Sequence, residues 1–316
     1  MKTVIKRFTM RPVKRFKASH DGPVSPRAKE DVEVENCQDE NIDKIVKSVE
    51  VTENETEDDD KLVGPPKIPL TTDIAKELLK LERSLAEQLS KIQFQKPVEY
   101  VYSPLEYAFN IHSMYVEKYC QNPKKILFLG INPGPWGMSQ NGVPFGEISM
   151  VRKWLGISGD VGKPEREQPD RLVKGFACTR SEVSGKRFWC LFQELCEKPE
   201  NFFLHAYLRN YCPIALMDVK GRNITPADLK ENEQKMVQRI CDKTLVDTIK
   251  LLKIETVIGI GRFAEKRAQL AVQAAGLKTK VTFIPHPSPR AVGNANWNDK
   301  AVKRLQEINL LRYFTK

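Results

Sequence analysis

The sequence lacks a long apolar run, and this absence excludes several classes of protein. Nowhere do about eighteen apolar residues follow one another, which is the length that a transmembrane helix requires. At the amino terminus, MKTVIKRFTMRPVKRFK, basic residues interrupt the apolar pairs where a signal peptide has a continuous apolar stretch. We therefore expect an intracellular protein with no membrane partner.

The seven cysteines are scattered along the chain. The cysteines are Cys37, Cys120, Cys178, Cys190, Cys196, Cys212 and Cys241. Their number is odd and no C-x-x-C pair occurs, so neither a disulfide framework nor a zinc site is indicated. Dispersed cysteines of an intracellular protein are most often small buried hydrophobes, and iron–sulfur ligation is the remote alternative. We expect no metal and no cofactor.

Charge is distributed unevenly. The formal net charge is +10, yet residues 1–29 carry nine Lys and Arg against one Asp, and residues 30–60 carry two Lys against fourteen Asp and Glu. Residues 61–316 hold the remaining 40 basic and 26 acidic residues. A basic domain of this size favours a polyanionic partner, because Lys and Arg that neutralise phosphates release condensed counterions.

The 316 residues divide into a tail and a domain. Residues 1–66 lack apolar periodicity, so we predict a disordered tail that is basic over 1–29 and acidic over 30–60. Two basic clusters in it, residues 6–7 and 14–17, have the spacing of a nuclear-import signal, and a merely solvated arm is the alternative. We expect residues 67–316 to form a single domain and the protein to be nuclear.

Apolar runs alternate with helical patterns after residue 67. Predicted buried strands are residues 124–131, 202–208, 255–260 and 280–285. Predicted helices begin at Thr72-Asp73, span 104–120, begin at Thr225-Pro226, follow Gly261, and span 299–314. Strands that alternate with helices predict an α/β protein, a three-layer α/β/α sandwich with a short, mainly parallel central sheet.

Unusual residues follow three of the predicted strands. These segments are GINPGPWGMSQNGVPFG at 130–146, RNYCP at 209–213 and HPSPR at 286–290. Ligand sites of open parallel sheets lie at the carboxyl ends of the strands. The first segment is rich in glycine and proline, which let backbone approach a ligand closely, and the last supplies an imidazole and a guanidinium. A simple turn or a stiffened loop explains each segment alone, but their combination predicts a functional site.

A competing signal is Gly259-Ile260-Gly261-Arg262-Phe263-Ala264, which has the form G-x-G-x-x-A of a dinucleotide-binding turn. That turn also requires an acidic residue at the end of the next strand to bind the ribose, and the chain has Ile284-Pro285-His286 there. We favour the alternative that these glycines permit a tight strand-to-helix turn.

The motifs GINPGPWGMSQNGVPFG and HPSPR, with NYCP and GRNITPADL between them, resemble the single-strand-selective monofunctional uracil-DNA glycosylases. The resemblance covers about residues 69–314 and implies a uracil-DNA glycosylase-like fold with one catalytic glycosylase domain. Ordinary uracil-DNA glycosylases have aspartate where this chain has Asn132, and the mismatch-specific branch lacks the histidine that His286 supplies.

The resemblance implies a role for each residue of the pocket. Asn132 would position the attacking water, and His286 would stabilise negative charge on uracil O2. Phe145 would stack on the flipped base, and Asn210 would accept from uracil N3–H while donating to O4. The other substrate-binding residues that it implies are Ile131, Gly134 and Met138.

The activity implied is hydrolytic excision of uracil and of 5-modified uracils such as 5-hydroxymethyluracil, from single- or double-stranded DNA. The resulting abasic site would pass to a downstream abasic-site endonuclease in base excision repair. The element that enters the DNA would comprise Arg290, Ala291, Val292, Gly293 and Asn294. We expect a monomer, and the alternative function is a non-catalytic damaged-DNA-binding protein of the same fold.

The chain departs from the family at two places. Ala291-Val292 stands where Asn-Pro is usual after the arginine, and Trp136 stands where phenylalanine is more common. Both changes bear on DNA contact, so the sequence does not determine which form of DNA is preferred.

Overall fold

A computed structural model describes residues 72–290 and 294–315 of the chain. The predicted tail over residues 1–66 and the predicted DNA contacts Ala291, Val292 and Gly293 lie outside these residues. Among the described helices, none combines the length and the apolar character needed to cross a membrane.

The elements follow one another as helices and short strands. The strands are β1 Tyr100–Tyr102, β2 Ile126–Gly130, β3 Ala206–Asn210, β4 Ala215–Met217, β5 Asn223–Ile224, β6 Thr256–Ile260 and β7 Lys280–Ile284. The α-helices are α1 Asp73–Ser90, α2 Pro104–Tyr107, α3 Phe109–Tyr119, α4 Met138–Asn141, α5 Ile148–Lys153, α6 Val183–Cys196, α7 Pro199–His205, α8 Glu231–Leu252, α9 Arg262–Ala274 and α10 Trp297–Glu307.

Four parallel strands form the central sheet in the order β3-β2-β6-β7. β2, β3 and β6 are buried along their whole length, as expected of parallel strands covered on both faces. The antiparallel strands β1, β4 and β5 form a second, smaller sheet that the sequence did not predict.

Helices cover both faces of the central sheet. On one face, Phe128 of β2 contacts Phe188 and Phe192 of α6, with ring centroids 5.5 and 5.2 Å apart. On the other face, Tyr207 of β3 packs on Tyr115 of α3, with centroids 5.3 Å apart. The predicted α/β/α sandwich is confirmed, and its central sheet is wholly parallel.

One predicted strand was wrong in position. Residues 202–205 belong to helix α7, which starts with Pro199 at its first helical position, and the strand begins only at Ala206. Phe202 and Phe203 are buried while Leu204 is 66% exposed, so the apolar run contains one face of a helix rather than a buried strand.

Other boundaries also differ from the prediction. The helix expected over 104–120 is broken at Ala108, where φ and ψ are −111° and 24°. Thr225 caps only a short 3₁₀ turn, Pro226–Asp228, and α8 begins at Glu231. Helix α10 ends at Glu307, before the end predicted for it, and a 3₁₀ turn follows it.

Candidate active site

The predicted site residues meet at the carboxyl edge of the central sheet. Gly130 and Asn210 are paired in register at the ends of β2 and β3, and Ile131 and Asn132 follow directly. His286 lies two residues beyond the end of β7. Parallel pairing therefore collects residues that are up to 156 positions apart in the sequence.

Asn132 is oriented by the second sheet. Its Nδ2 donates to Asn223 Oδ1 at 3.2 Å and to the Ile224 carbonyl at 3.5 Å, both in β5. No described residue donates to its Oδ1. The amide is thus held at its nitrogen, and its oxygen is the part left to accept a hydrogen bond from water.

Phe145 has an unusual backbone conformation that helix α6 maintains. Its φ is +52°, a left-handed value that is uncommon outside glycine. Trp189 Nε1 donates to its carbonyl at 3.0 Å, and a Cβ on Gly185 would lie 2.2 Å from the same oxygen. The ring is buried, with its centroid 6.3 Å from that of His286.

Gly130 makes the close approach of two pocket side chains possible. A Cβ at this position would lie 2.3 Å from Asn210 Oδ1 and 2.5 Å from Phe145 Cε2. Real Cβ atoms do not approach other atoms that closely, so glycine is required at the end of β2 while Asn210 and Phe145 keep these positions.

Asn210 presents a buried hydrogen-bond acceptor. Its Nδ2 donates to Met138 Sδ at 3.2 Å, which fixes the orientation of the amide. Its Oδ1 is buried and has no partner among the described residues. An unpaired buried acceptor costs about 1–3 kcal/mol, so this oxygen is suited to a ligand that brings a donor.

His286 is held in one tautomer by its own loop. The Ser288 backbone N–H donates to His286 Nδ1 at 3.1 Å, so a neutral ring carries its hydrogen on Nε2. Burial lowers the pKa of His286 below its usual value, which favours that neutral ring.

Asn294 holds the loop of His286 in place through hydrogen bonds from its side chain. Its Nδ2 donates to the carbonyls of His286 and Ser288 at 2.9 and 2.7 Å, and its own carbonyl accepts from Arg187 at 3.1 Å. The side chain predicted to contact DNA is only 6% exposed and is directed into the protein. Arg290, predicted for the same role, is exposed.

Two other predicted pocket residues lie beside this group. Ile131 is half-buried, and its carbonyl accepts from the Cys212 N–H at 2.9 Å, which ties the first motif to the segment after β3. Gly134 faces Glu182, whose side-chain atoms lie 3.6–3.7 Å from where its Cβ would be.

Glu182 is a residue of the site that the sequence did not indicate. Its Oε2 accepts from the Gly185 N–H at 3.0 Å and caps α6, and its Cγ would lie 2.8 Å from a Cβ on Gly137. Burial, with a smaller contribution from Glu147, raises the pKa of Glu182 to about 7. Its signal in the sequence is an acidic residue directly ahead of a helix, but helix α6 was not among the predicted helices.

The glycines of the dinucleotide-like turn are explained by packing. A Cβ on Gly259 would lie 2.3 Å from the Glu265 backbone nitrogen, so this glycine lets α9 pack on β6. Gly261 has φ of +90°, and its Cβ would lie 3.3 Å from His286 Cβ. Within residues 72–290 and 294–315, no three His, Cys, Asp or Glu side chains are grouped as metal ligands.

Known proteins resemble this chain in sequence. Residues 117–309 match the Uracil DNA glycosylase superfamily. The chain is 45% identical over 249 residues to the single-strand selective monofunctional uracil DNA glycosylase of Mus musculus, covering 78% of this chain and 89% of that protein. The Bos taurus protein of that name is 45% identical over 248 residues, or 78% of this chain and 91% of that protein.

A solved structure shares the fold. The crystal structure of wild-type SMUG2 from Pedobacter heparinus has a TM-score of 0.51 and 17% identity, and the match covers 72% of this chain and 98% of that one. Because the superfamily match spans more than half of the chain and the identity to the mammalian proteins spans most of it, this chain belongs to the uracil-DNA glycosylase superfamily, in the family of single-strand selective monofunctional uracil-DNA glycosylases.

Proposed function

We propose that the protein is a monofunctional DNA glycosylase that flips uracil out of DNA and hydrolyses its bond to deoxyribose. The observation that carries this proposal is the unpaired, buried Oδ1 of Asn210, an amide that is oriented by the hydrogen bond from its Nδ2 to Met138 and lies close to Phe145. Uracil supplies the missing donor through its N3–H.

Recognition rests on the polarity of the base edge. Cytosine has an acceptor at N3, so its entry would place two acceptors together and leave Asn210 Oδ1 without a partner. Leaving such a group unpaired costs about 1–3 kcal/mol, or roughly 5- to 150-fold in preference. The buried ring of Phe145 adds stacking area that every pyrimidine shares, so discrimination falls to the amide.

Bond cleavage requires stabilisation of a leaving base that carries negative charge. The Nε2–H of neutral His286 is a donor suited to uracil O2, and loss of such a donor typically costs about 10²–10³ in rate. A neutral imidazole also avoids the cost of holding an unpaired charge in a buried site.

Asn132 completes the reaction by positioning water. Its Oδ1 accepts from the water, but an amide is too weak a base to remove a proton before attack. The bond to the base therefore breaks largely first, and the water meets an oxocarbenium-like sugar, for which position matters more than basicity.

The product follows from the side chains present. The motif segments 130–146 and 286–290 contain no lysine that would form a Schiff base with the sugar. Hydrolysis leaves an abasic site, the substrate of an abasic-site endonuclease downstream in base excision repair.

We extend the substrate range to uracils with 5-substituents, such as 5-hydroxymethyluracil. Gly134 and Gly137 carry no side chains, and the Glu182 carboxyl lies beside both. We further propose that the protein acts as a monomer on single- or double-stranded DNA, with Arg290 in contact with the DNA. Nuclear localisation is proposed from the basic clusters at residues 6–7 and 14–17.

The test is excision from end-labelled oligonucleotides that carry one uracil, 5-hydroxymethyluracil, cytosine or thymine, single-stranded and paired, scored as alkali-labile sites. We expect release of the first two bases, and losses of about 10²–10³ in Asn132→Ala and His286→Ala. Asn122→Ala and His205→Ala, on the loop before β2 and at the end of α7, are matched controls that should keep full activity.

Tight binding without release of any base would favour the non-catalytic damaged-DNA-binding protein instead. Strand scission without alkali would contradict the monofunctional reaction. Removal of both bases by the Asn132→Ala protein would contradict the role given to Asn132.

A further inference from the structure

A cleft outside the pocket is lined by α5 and residues 176–181 and encloses about 370 Å³. We call it the basic cleft, because Arg152, Lys153 and Arg180 line it and all three are exposed. None of the three forms an ion pair with any residue in the described parts of the chain. The basic cleft is therefore a locally positive surface, which is complementary to an anionic ligand.

The basic cleft is partly preorganised. Arg152 Nη2 donates to the Phe176 carbonyl at 2.8 Å, and its guanidinium lies 5.4 Å from the centroid of the Phe176 ring. These contacts hold the guanidinium at the wall and leave its other nitrogens available. An arginine fixed in this way loses less side-chain entropy when it binds a phosphate.

One carboxylate, Glu147, also lines the basic cleft, but it is buried and occupied. Its Oε2 accepts from the Met150 N–H at 2.9 Å and its Oε1 from the Ser181 hydroxyl at 3.1 Å. The carboxylate is therefore held at the start of α5, and its single negative charge is outnumbered by the three cations of the basic cleft.

Trp136 connects the basic cleft to the candidate active site. This tryptophan is half-buried in the loop after β2, and the guanidinium groups of Arg180 and Arg171 lie 4.7 and 5.2 Å from its ring centroid. Arg180 thus lines the basic cleft and also contacts the loop that carries Asn132.

We propose that the basic cleft and Trp136 bind the DNA strand beside the flipped nucleotide, with Arg152 and Arg180 on backbone phosphates and Trp136 against a neighbouring base. This inference rests on the DNA substrate of the proposed function. Arginines match phosphate oxygens in a forked geometry, and aromatic rings stack on any base, so the surface binds without sequence preference.

Binding to an unmodified, uracil-free single-stranded oligonucleotide tests the inference separately from catalysis. Affinity is measured by fluorescence anisotropy over a range of salt concentrations for wild type and for Arg152→Gln/Arg180→Gln. The slope of log K against log salt is negative, by about 0.7 for each phosphate contact on a single strand, so the slope of the double variant should be less negative by about 1.4. Affinity at low salt should fall on the order of tenfold.

Arg312→Gln is the matched control. Arg312 is exposed, and its guanidinium lies 5.3 Å from the centroid of the Tyr313 ring. Tyr313 contacts His205, which directly precedes β3 at the end of the sheet opposite the site. This variant removes the same charge from an arginine on an aromatic ring, and its slope should equal that of wild type. If the double variant fails to fold, Arg180→Gln alone should show about half of the change in slope. The Arg180 side chain donates no hydrogen bond to any described residue, so its loss should not disturb the fold.

A series of oligonucleotides, each with a single phosphate replaced by a neutral methylphosphonate at a different position, then locates the contacts. At the phosphates that the arginines bind, neutralisation should weaken wild type and leave the double variant unchanged. A slope in Arg152→Gln/Arg180→Gln equal to wild type would overturn the inference even if uracil excision is normal. If the double variant shows the predicted change in slope but the wild-type protein excises no base, the inference stands and only the proposed function is rejected. Equal competition by inorganic phosphate at matched ionic strength would reduce the basic cleft to a site for free phosphate and contradict the proposal.

Discussion

Replacing Gly130 by alanine should block the pocket from within. The new Cβ would lie 2.3 Å from Asn210 Oδ1 and 2.5 Å from Phe145 Cε2. Restoring a contact of about 3 Å therefore requires Asn210 Oδ1 to move by roughly 0.7 Å, at the atom proposed to accept from uracil N3–H. Misplacement by about 1 Å costs on the order of 10²-fold in rate, and we expect a loss of that size.

The assay is single-turnover excision from a single-stranded uracil oligonucleotide with enzyme in excess, so that binding does not limit the rate. Overpacking at Gly130 should also lower the free energy of unfolding by about 1–3 kcal/mol, measured by urea denaturation. Gly276→Ala is the control, because Gly276 has φ of +61° and no atom within 4 Å of its Cβ position. It should lose stability through backbone strain and keep the excision rate.

If the Gly130→Ala protein keeps an excision rate within about threefold of wild type, this reasoning is refuted. Even a tenfold change in rate corresponds to only about 1.4 kcal/mol of activation free energy, so a threefold change would be far smaller than the predicted effect. It would mean that neither Asn210 nor the ring of Phe145 needs its observed position for the reaction.

Two further predictions concern side chains that support the pocket. Burial raises the pKa of Glu182 from 4.5 to about 7, so the native state holds this proton more tightly than the unfolded chain. Its contribution to the free energy of unfolding is complete below about pH 4.5 and is lost as pH rises through about 7. Urea denaturation should therefore show a smaller loss of unfolding free energy between these pH values in Glu182→Gln than in wild type or in the exposed control Glu106→Gln. Equal losses in the three proteins would disprove the shift. Asn294→Ala removes two hydrogen bonds to the loop 286–288, so excision should slow on the order of tenfold. The affinity of this variant for uracil-free DNA should equal that of the control Asn122→Ala. Weaker DNA binding at an unchanged excision rate would instead make Asn294 a DNA contact.

Capping residues and apolar runs predicted secondary structure correctly where a segment's conformation depends only on its own residues. Thr72 caps α1 as its position predicts, accepting from the Ala75 N–H. The apolar run before Asn132 forms β2 because a short run between turn signals fits a fully buried strand. The same rule failed at residues 202–208, because an apolar run also fits a buried helix face, and Pro199 starts a helix there.

By itself, the sequence determined the α/β class, the order of the main elements and the three segments that meet at the strand ends, because composition, periodicity and turn residues act over a few neighbouring positions. Only the tertiary structure decided that Glu182 lies under Gly137, that Asn294 faces inward to the loop of His286, and that Arg180 reaches Trp136. These contacts join residues that are distant in the sequence, and their formation depends on how the layers pack, which no local pattern encodes.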